Sequence, residues 1–331
     1  MSTSGTGAVG RPRSWFSAPP PSAAIELAAG RVTAVTVRRS GTEVVLSGHA
    51  SLRLDADAVK PHLTETNIAN PEALAARVKE AVSRVPLRGR RIALVVPDGA
   101  VKVALLGFEK VPDRDEDLRE LVRWQLRKSA PFPIDTALMS VVKTASADGG
   151  ADVLATVAMR SVIEQYEQVV TSVGLHAGVV DVASLNLVNT VMAAGPGGYA
   201  WLDGGERGIT DWLLVHLGGG AWTTAIVRDG APIFYRHGVG SQGAGLADVV
   251  HQAMMYYEDR LQGNGLACVV LAVAGEDGLD EDLEANLAAQ VRVPVELIDP
   301  TRALRTTESA MVAPTLFAAI AAPVGIAVRE W

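Results

Sequence analysis

The sequence predicts an α/β protein of two lobes, each a β-sheet flanked by helices, and three observations point there. Segments with strand and helix periodicity alternate along the chain, as they do where helices cover sheets. At 331 residues the chain is longer than one hydrophobic core usually organises. It also repeats itself: shifted by 190 residues, "AIELAAGRVTAVTVR" (24–38) lies on "LVHLGGGAWTTAIVR" (214–228) without a gap. Glu26 then falls on His216, Gly30 on Gly220, Thr33 on Thr223, Val37 on Val227 and Arg38 on Arg228.

Residues 1–22, "MSTSGTGAVGRPRSWFSAPPPS", read as a disordered leader. They have no long apolar core and no convincing cleavage site, so no signal peptide is assigned. Trp15 and Phe16 beside Arg11 and Arg13 are incidental aromatics of a loose tail, with a membrane or partner contact as the alternative. From Ala23 a strand pair follows, then "TEVVLSGHA". "NPEALAARVKEAVSRV" is a helix: Asn70 caps it, Pro71 sits in the first turn, and Leu74, Val78, Ala81, Val82 and Val85 form one stripe. "RIALVVPDG" is a buried strand ended by turn residues.

In "VPDRDEDLRELVRWQLRKSAPFPID" the residues Leu118, Leu121, Val122 and Leu126 mark an amphipathic helix. Acids gather at its start and Arg127 and Lys128 at its end, as the helix dipole favours, and Pro131 and Pro133 stop it. Strands "ALMSVVKTA" and "DVLATVAM" flank a turn around Gly149 and Gly150. "SVIEQYEQVVTSVGL" is the clearest helix, with Ser161 and Glu164 as a capping box and Gly174 as its stop. "AGVVDV" is a strand and "ASLNLVNTVMAAG" a helix.

The second half opens with "WLLVHLGGGAWTTAIVR", and Asp229-Gly230 turns it into "APIFYRHGVG". A helix near 243–261, the strand "ACVVLAV", a helix near 280–290 and "VPVELIDP" complete the alternation. The closing apolar stretch is interrupted by Pro314 and Pro323 and reads as a buried helical end, not a membrane span.

Composition narrows the function. A net charge of −7 and a pI near 5.4 speak against a general nucleic-acid binder. The single cysteine, Cys268, lies in an apolar run, so no intramolecular disulfide forms. His49, His62, His176, His237 and His251 show no metal-ligand spacing, and neither a P-loop nor a Gly-x-Ser-x-Gly elbow is present. The run "DRDEDLRE" reads as a solvated helix start.

Two α/β lobes that each open with a strand–glycine–strand hairpin describe the actin/Hsp70/sugar-kinase ATPase fold. There the hairpins face each other across a cleft and grip nucleotide phosphates. Glycine lets backbone amides approach a phosphate, and carboxylates at the loops hold Mg²⁺, a hard ion that prefers oxygen.

Against that background the chain resembles the PilM group of actin-like type IV pilus assembly proteins, related to the cytoplasmic domain of GspL from type II secretion. The resemblance spans roughly residues 23 to 329. It is carried by "LRELVRWQLRKSAPFPIDTALMSV", with its Pro131-Phe132 pair, by "SVIEQYEQVVTSVGLHAGVVDVASLNLVNTV", by "WTTAIVRDGAPIFYRHGVG" and by the order of these pieces. It implies subdomain 1A at 23–87 and 161–199, an inserted 1C near 88–160, and a second lobe, 2A/2B, at 200–331. The C-terminal helix would return toward the first lobe. It further implies a cytoplasmic scaffold at the inner membrane. The partner would be the N-terminal tail of a PilN-like protein, bound in a 1A/1C groove and linked through it to PilO and the pilus motor and platform. Trp124, Pro131 and Phe132 are the partner-side candidates.

The phosphate hairpins depart from the family pattern. Where it reads Asp-Ile-Gly-Ser-Ser-Ser-Val-Lys, this chain has Glu26-Leu27-Ala28-Ala29-Gly30-Arg31-Val32-Thr33. In the second hairpin Asp-Ile-Gly has become His216-Leu217-Gly218. Ala28 puts a methyl where backbone should meet phosphate, and His216 is a poor ligand for Mg²⁺. The adenosine-side turn is partly kept at Ala274-Gly275-Glu276-Asp277-Gly278. The residues that would touch a nucleotide are Glu26, Gly30, Thr33, His216, Gly218, Gly219, Gly220, Thr223, Thr224 and Gly275. The expectation is a degenerate cleft with no required cofactor and at most weak ATP/Mg²⁺ binding, in which the glycines serve a tight turn and His216 is a hydrogen-bonded strand-end residue. An active ATPase or kinase of the same superfold is the alternative. A GspL-like secretion component is another, although such chains normally continue into a membrane helix and this one ends at Trp331.

Overall fold

A computed structural model describes residues 21–41, 43–145, 150–205, 208–240, 244–274 and 281–329. Its first lobe is built on β1 (Ala23–Ala28), β2 (Arg31–Ser40), β3 (Glu43–Arg53), α1 (Pro71–Ser83) and β4 (Arg91–Val96). A three-stranded layer follows: β5 (Lys102–Phe108), α2 (Asp115–Leu126), β6 (Leu138–Ala145) and β7 (Ala151–Ala158). The chain returns through α3 (Arg160–Ser172), β8 (His176–Val182) and α4 (Ala183–Gly198). The second lobe holds β9 (Trp212–Gly218), β10 (Ala221–Arg228), β11 (Ala231–Val239), α5 (Ala244–Arg260), β12 (Cys268–Ala274), α6 (Glu281–Val291) and β13 (Val295–Leu297). The short β14 (Arg305–Thr306) and α7 (Phe317–Val328) close the chain.

The strand orders are β14-β3-β2-β1-β4-β8, β11-β10-β9-β12-β13 and β5-β7-β6. The internal repeat is real in register: Glu26 pairs with Thr33 across β1–β2, and His216 with Thr223 across β9–β10. Each hairpin also lies beside a parallel strand, β4 and β12 respectively. Strand β10 turns into β11 at Asp229 (φ +50°) and Gly230 (φ +78°), the paired left-handed residues of a type I′ turn, as the Asp-Gly pair predicts.

Burial explains the layering. Leu74, Val78 and Ala81 of α1 and Val162, Ile163, Tyr166, Val169 and Val170 of α3 cover one face of the first sheet. Between the two large sheets lie α4 and α7. Apolar almost all round, α7 is buried from Ala319 to Ala327, as such a helix must be. The two helices touch closely at Gly325, where a Cβ would overlap the Asn186 carbonyl oxygen. Thr190 donates to the Ala321 carbonyl at 2.6 Å across the same contact. Among the described residues no helix is long and apolar enough to cross a membrane.

Several local readings hold and others need correction. Asn70 caps α1 by accepting from the Ala73 amide. Gly174 ends α3 in a left-handed conformation (φ +81°). The Ser161/Glu164 capping box does not form, because α3 begins one residue earlier, at Arg160, after Met159. A cap contributes about 1 kcal/mol, whereas each large side chain on this stripe gains about 1.5–3 kcal/mol by burial, so the stripe sets the helix start. The strand β5 is absent from the sequence reading. The range 88–160 opens with β4, which is paired between β1 and β8 in the six-stranded sheet, so the separate layer begins only after it. Within 200–331, β14 pairs with β3 at the edge of the first sheet, and α7, the C-terminal helix expected to return toward the first lobe, packs on that sheet. Gly149, Gly275, Glu276 and Asp277 lie outside the described residues.

Candidate functional site

The two hairpins face each other across a cleft whose inner cavity is about 260 Å³. Alternation along the strands aims Glu26 and Ala28 of β1, His216 and Gly218 of β9, and Thr223 of β10 into it. Gly219 also lines it, and with Gly30 and Gly220 borders an outer recess of about 590 Å³. Thr33 and Thr224 do not line either space. Thr33 meets the Ser51 hydroxyl at 3.2 Å, and the buried Thr224 hydroxyl has no hydrogen-bond partner among the described residues.

Gly219 (φ +59°) carries the hairpin tip into direct contact with the other lobe: a Cβ there would overlap the Ala29 Cβ. The tips therefore meet each other, Ala29 against Gly219, between the cavity and the recess.

Behind the tips a cluster forms around Asp98, at the carboxyl end of β4. Asp98 is 4% exposed and its side chain takes five hydrogen bonds. The Ser184 amide (3.1 Å), the Ser184 hydroxyl (2.5 Å) and the Tyr235 hydroxyl (3.1 Å) donate to Oδ1. His216 Nδ1 (3.2 Å) and the Thr223 hydroxyl (3.1 Å) meet Oδ2. A carboxylate only accepts, so His216 carries its hydrogen on Nδ1. The Thr223 proton goes to Asp98, so His237 Nδ1, 2.9 Å from that hydroxyl, is the donor to it. The donors come from both lobes: Ser184 opens α4, whereas His216, Thr223 and Tyr235 stand on three neighbouring strands of the second sheet.

The charges are arranged for the protein itself. Burial alone would push the Asp98 carboxyl up, but the hydrogen bond and charge of His216, with Ser184 and His237, hold it well below the usual carboxylate range. Burial raises Glu26, only partly offset by Arg31 and His216. Glu26 is 3% exposed, and its Oε2 accepts no hydrogen bond from the described residues. Its ion-pair partner is Arg31, 3.6 Å away, folded inward from the adjacent strand. Burial and the Asp98 charge push the Tyr235 hydroxyl far up, and burial depresses His237.

A second concavity, about 870 Å³, opens where two sheet edges approach: β6 of the three-stranded layer and β8 of the large sheet. Val96, Val101, Leu138, Ile163, Val180, Leu185 and Val188 line it with apolar surface. Ser140, Lys143, Asp181, Asn189 and Arg329 add polar groups, and Asp229–Pro232 of the second lobe form a further wall. Arg329 is tied to Asp181 at 2.6 Å. Trp124, Pro131 and Phe132 do not line this groove. Trp124 stands 68% exposed on α2, while Phe132 is buried with Leu118, Val122 and Val153 in the core of the three-stranded layer.

Glu26, His216, Gly218, Gly219 and Thr223 are thus gathered in one cavity as the sequence suggests. Sequence reasoning misses Asp98, Ser184 and Tyr235, and gives His237 no role. One signal is available: "VVPDG" puts an acid just past the carboxyl end of a buried parallel strand, where open α/β sheets place their functional groups.

The chain belongs to the PilM family, whose model, described as type IV pilus assembly protein PilM, matches residues 24–243. A solved PilM–PilN type IV pilus biogenesis complex is similar in fold, with a TM-score of 0.76 at 16% identity over 93% of this chain and 97% of that one. The cytoplasmic domain of EpsL, an inner-membrane component of the type II secretion system of Vibrio cholerae, gives 0.48 at 10% identity, covering 93% and 95%. A Bacteroides thetaiotaomicron protein of actin-like ATPase fold and unknown function gives 0.43 at 10% identity, covering 83% and 90%. The fold is the actin-like ATPase fold. No curated protein matches the sequence.

Proposed function

We propose that this chain is a type IV pilus scaffold on the cytoplasmic face of the inner membrane that holds the N-terminal tail of a PilN-like protein. The tail lies in the groove between β6 and β8. The observation that carries this reading is the groove itself: two sheet edges, each without a further strand among the described residues, flank an apolar floor. An extended peptide finds main-chain partners at such an edge and pockets between side chains. Through that tail the scaffold reaches PilO and the pilus motor and platform.

On the same reading the cleft serves shape, not hydrolysis. The hairpin tips that would hold a nucleotide's phosphates lie against each other at Ala29 and Gly219. Asp98 has its lone pairs filled by protein donors, and Arg31 stands beside Glu26 where a hydrated metal would approach. These residues do not fit Mg–ATP.

The test is calorimetric titration of the full chain with a synthetic peptide of the cytoplasmic tail of the PilN-type protein encoded beside it. Saturable binding is expected, weakened at least tenfold by Val142→Asp on the exposed edge of β6. No binding, or binding indifferent to Val142→Asp, overturns the assignment. Millimolar Mg–ATP is expected to give neither heat nor a thermal shift, and tight binding would reverse the reading of the cleft.

A further inference from the structure

We propose that the end of the first sheet remote from the cleft is a basic face that rests on an anionic lipid bilayer. The inference stands whether or not the groove holds a tail.

The sequence concentrates charge at this end. Residues 77–91 hold Arg77, Lys79, Arg84, Arg88, Arg90 and Arg91 against one acid, Glu80, in a chain whose net charge is −7. Arg38 and Arg39 stand near the end of β2. The fold brings the two runs together. Arg38 follows Thr36 on one face of β2, and Pro86 closes over Gly48, the β3 partner of Thr36. Strand β4 begins at Arg91, and β1, β4 and β8 run parallel from this end toward the cleft, about 20 Å away at the usual rise.

The fold uses some of these groups itself. Glu80 pairs with both Arg77 and Arg84, Arg39 holds the Ala327 carbonyl at the end of α7, and Arg91 lies across Gly178. Arg84 stands at the C-cap of α1, where the helix dipole favours a cation. Glu43, where β3 begins, is held by Arg305 at 3.0 Å. Arg38, Arg88 and Arg90 remain: each is exposed and makes no ion pair among the described residues. Arg88 and Arg90 lie beyond the last turn of α1, so the dipole does not account for them.

Arginines gathered at one blunt end of an otherwise acidic chain fit an extended anion. A plane of lipid phosphates meets this end alone. A long nucleic acid would also lie along the acidic remainder, which repels it. Each arginine near an anionic bilayer raises binding about fivefold, and the attraction fades within a Debye length of about 8 Å at physiological salt. In that orientation the cleft faces away from the bilayer.

The experiment is co-sedimentation of the full chain with vesicles of one part phosphatidylglycerol to about three parts phosphatidylcholine, against phosphatidylcholine alone, at low and at physiological salt. Binding is expected on the anionic vesicles only, weaker as salt rises. A variant carrying Arg38→Ser, Arg88→Ser and Arg90→Ser should lose about a hundredfold in affinity. A control carrying Lys110→Ser, Arg114→Ser and Lys128→Ser makes the same change in net charge at exposed positions around α2 and should lose little. Far-UV circular dichroism checks that each is folded. If the first variant does not fold, Arg88→Ser alone decides, with about a fivefold loss expected. No binding to anionic vesicles, equal binding to neutral ones, or equal losses in the two triple variants overturns the proposal. Binding that survives the face substitutions but is lost with Trp15→Ala and Phe16→Ala belongs to the leader, and overturns it too. Binding of duplex DNA in place of the vesicles, abolished by the face substitutions, overturns it in favour of a nucleic acid.

Discussion

Replacing Asp98 by alanine tests the central cluster most directly. The substitution removes the acceptor of five hydrogen bonds at a residue that is 4% exposed. Water entering through the cleft cavity can serve the Oδ2 partners, His216 and Thr223, which line that cavity. The Oδ1 partners, Ser184 and Tyr235, do not line it. Three donors point at Oδ1, but the Ser184 and Tyr235 hydroxyls lie 3.1 Å apart and one can donate to the other. A buried donor left without an acceptor costs about 1–3 kcal/mol, so the two that stay stranded cost about 2–6 kcal/mol. Removing one member of a buried charged network typically costs about 3–5 kcal/mol, which narrows the range. Tyr235→Phe removes one donor and leaves Asp98 four others, so about 1–2 kcal/mol is expected. Urea unfolding at pH 7, followed by far-UV circular dichroism and tryptophan fluorescence, measures both. A loss below 1 kcal/mol for Asp98→Ala, or equal losses for the two variants, would refute the cluster as the fastening between lobes. The pH dependence has a definite sign. Asp98 has a folded pKa below its unfolded value, so its contribution is present above about pH 4 and lost as pH falls below it. His237 is kept neutral by burial and takes up a proton on unfolding below pH 6.5, so stability also declines from there downward. Asp98→Ala should flatten the acid part of the profile.

Glu26→Gln is expected to stabilise the chain at neutral pH: burial raises the carboxyl's pKa, so the folded state resists its charge above the unfolded value near 4.5, and the gain should vanish in acid. Thermal melts at pH 4 and pH 7 check it, and a loss of stability at pH 7 would show that the Arg31 pair outweighs burial. Phe132→Ala should cost about 3–5 kcal/mol, because the ring is 7% exposed in the core of the three-stranded layer, while Trp124→Ala, at 68% exposure, should stay within about 0.5 kcal/mol. The same urea assay separates the pair.

What the sequence reveals and what it hides follow from contact range. The hairpins, their register and the Asp229-Gly230 turn are local patterns, legible because strand alternation and glycine geometry act over a few residues. The 190-residue offset adds the one long-range fact that a repeat supplies, and the Glu26–Thr33 and His216–Thr223 pairs agree with it. The Asp98 cluster has no such signature. Its members at 98, 184, 216, 223 and 235 lie on five elements or loops and converge only when both sheets pack around α4 and α7. Ala28 is the methyl that the sequence sets against a phosphate, yet Ala29 is the one that meets Gly219, because the tip contact depends on how the lobes close. Phe132 fails as a surface candidate for the opposite reason: a Pro-Phe pair after an amphipathic helix is also how a chain folds back to bury an aromatic.

The equivalence of Glu26 and His216 in the repeat gives the sharpest remaining question, since phosphate hairpins of this fold usually carry an aspartate where His216 stands. His216→Asp alone restores that residue, and the structure says what it would meet. The imidazole Nδ1 now lies 3.2 Å from Asp98 Oδ2. A second carboxylate at about 4 Å would repel Asp98 by about 4 kcal/mol at the effective dielectric of a partly exposed site, unless one of the two took a proton. The variant should therefore lose stability by a few kcal/mol at pH 7 and recover much of it near pH 5, the reverse of the wild-type trend. Magnesium is the discriminating addition. If millimolar Mg²⁺ leaves the variant unchanged, the fastened cluster and a metal-holding hairpin are exclusive solutions in this cleft, and changing one residue does not move between them. If Mg²⁺ restores the lost stability, two carboxylates suffice to hold the ion and the cleft stands one substitution from its metal chemistry. The conclusion that protein donors occupy Asp98 fully would then fail.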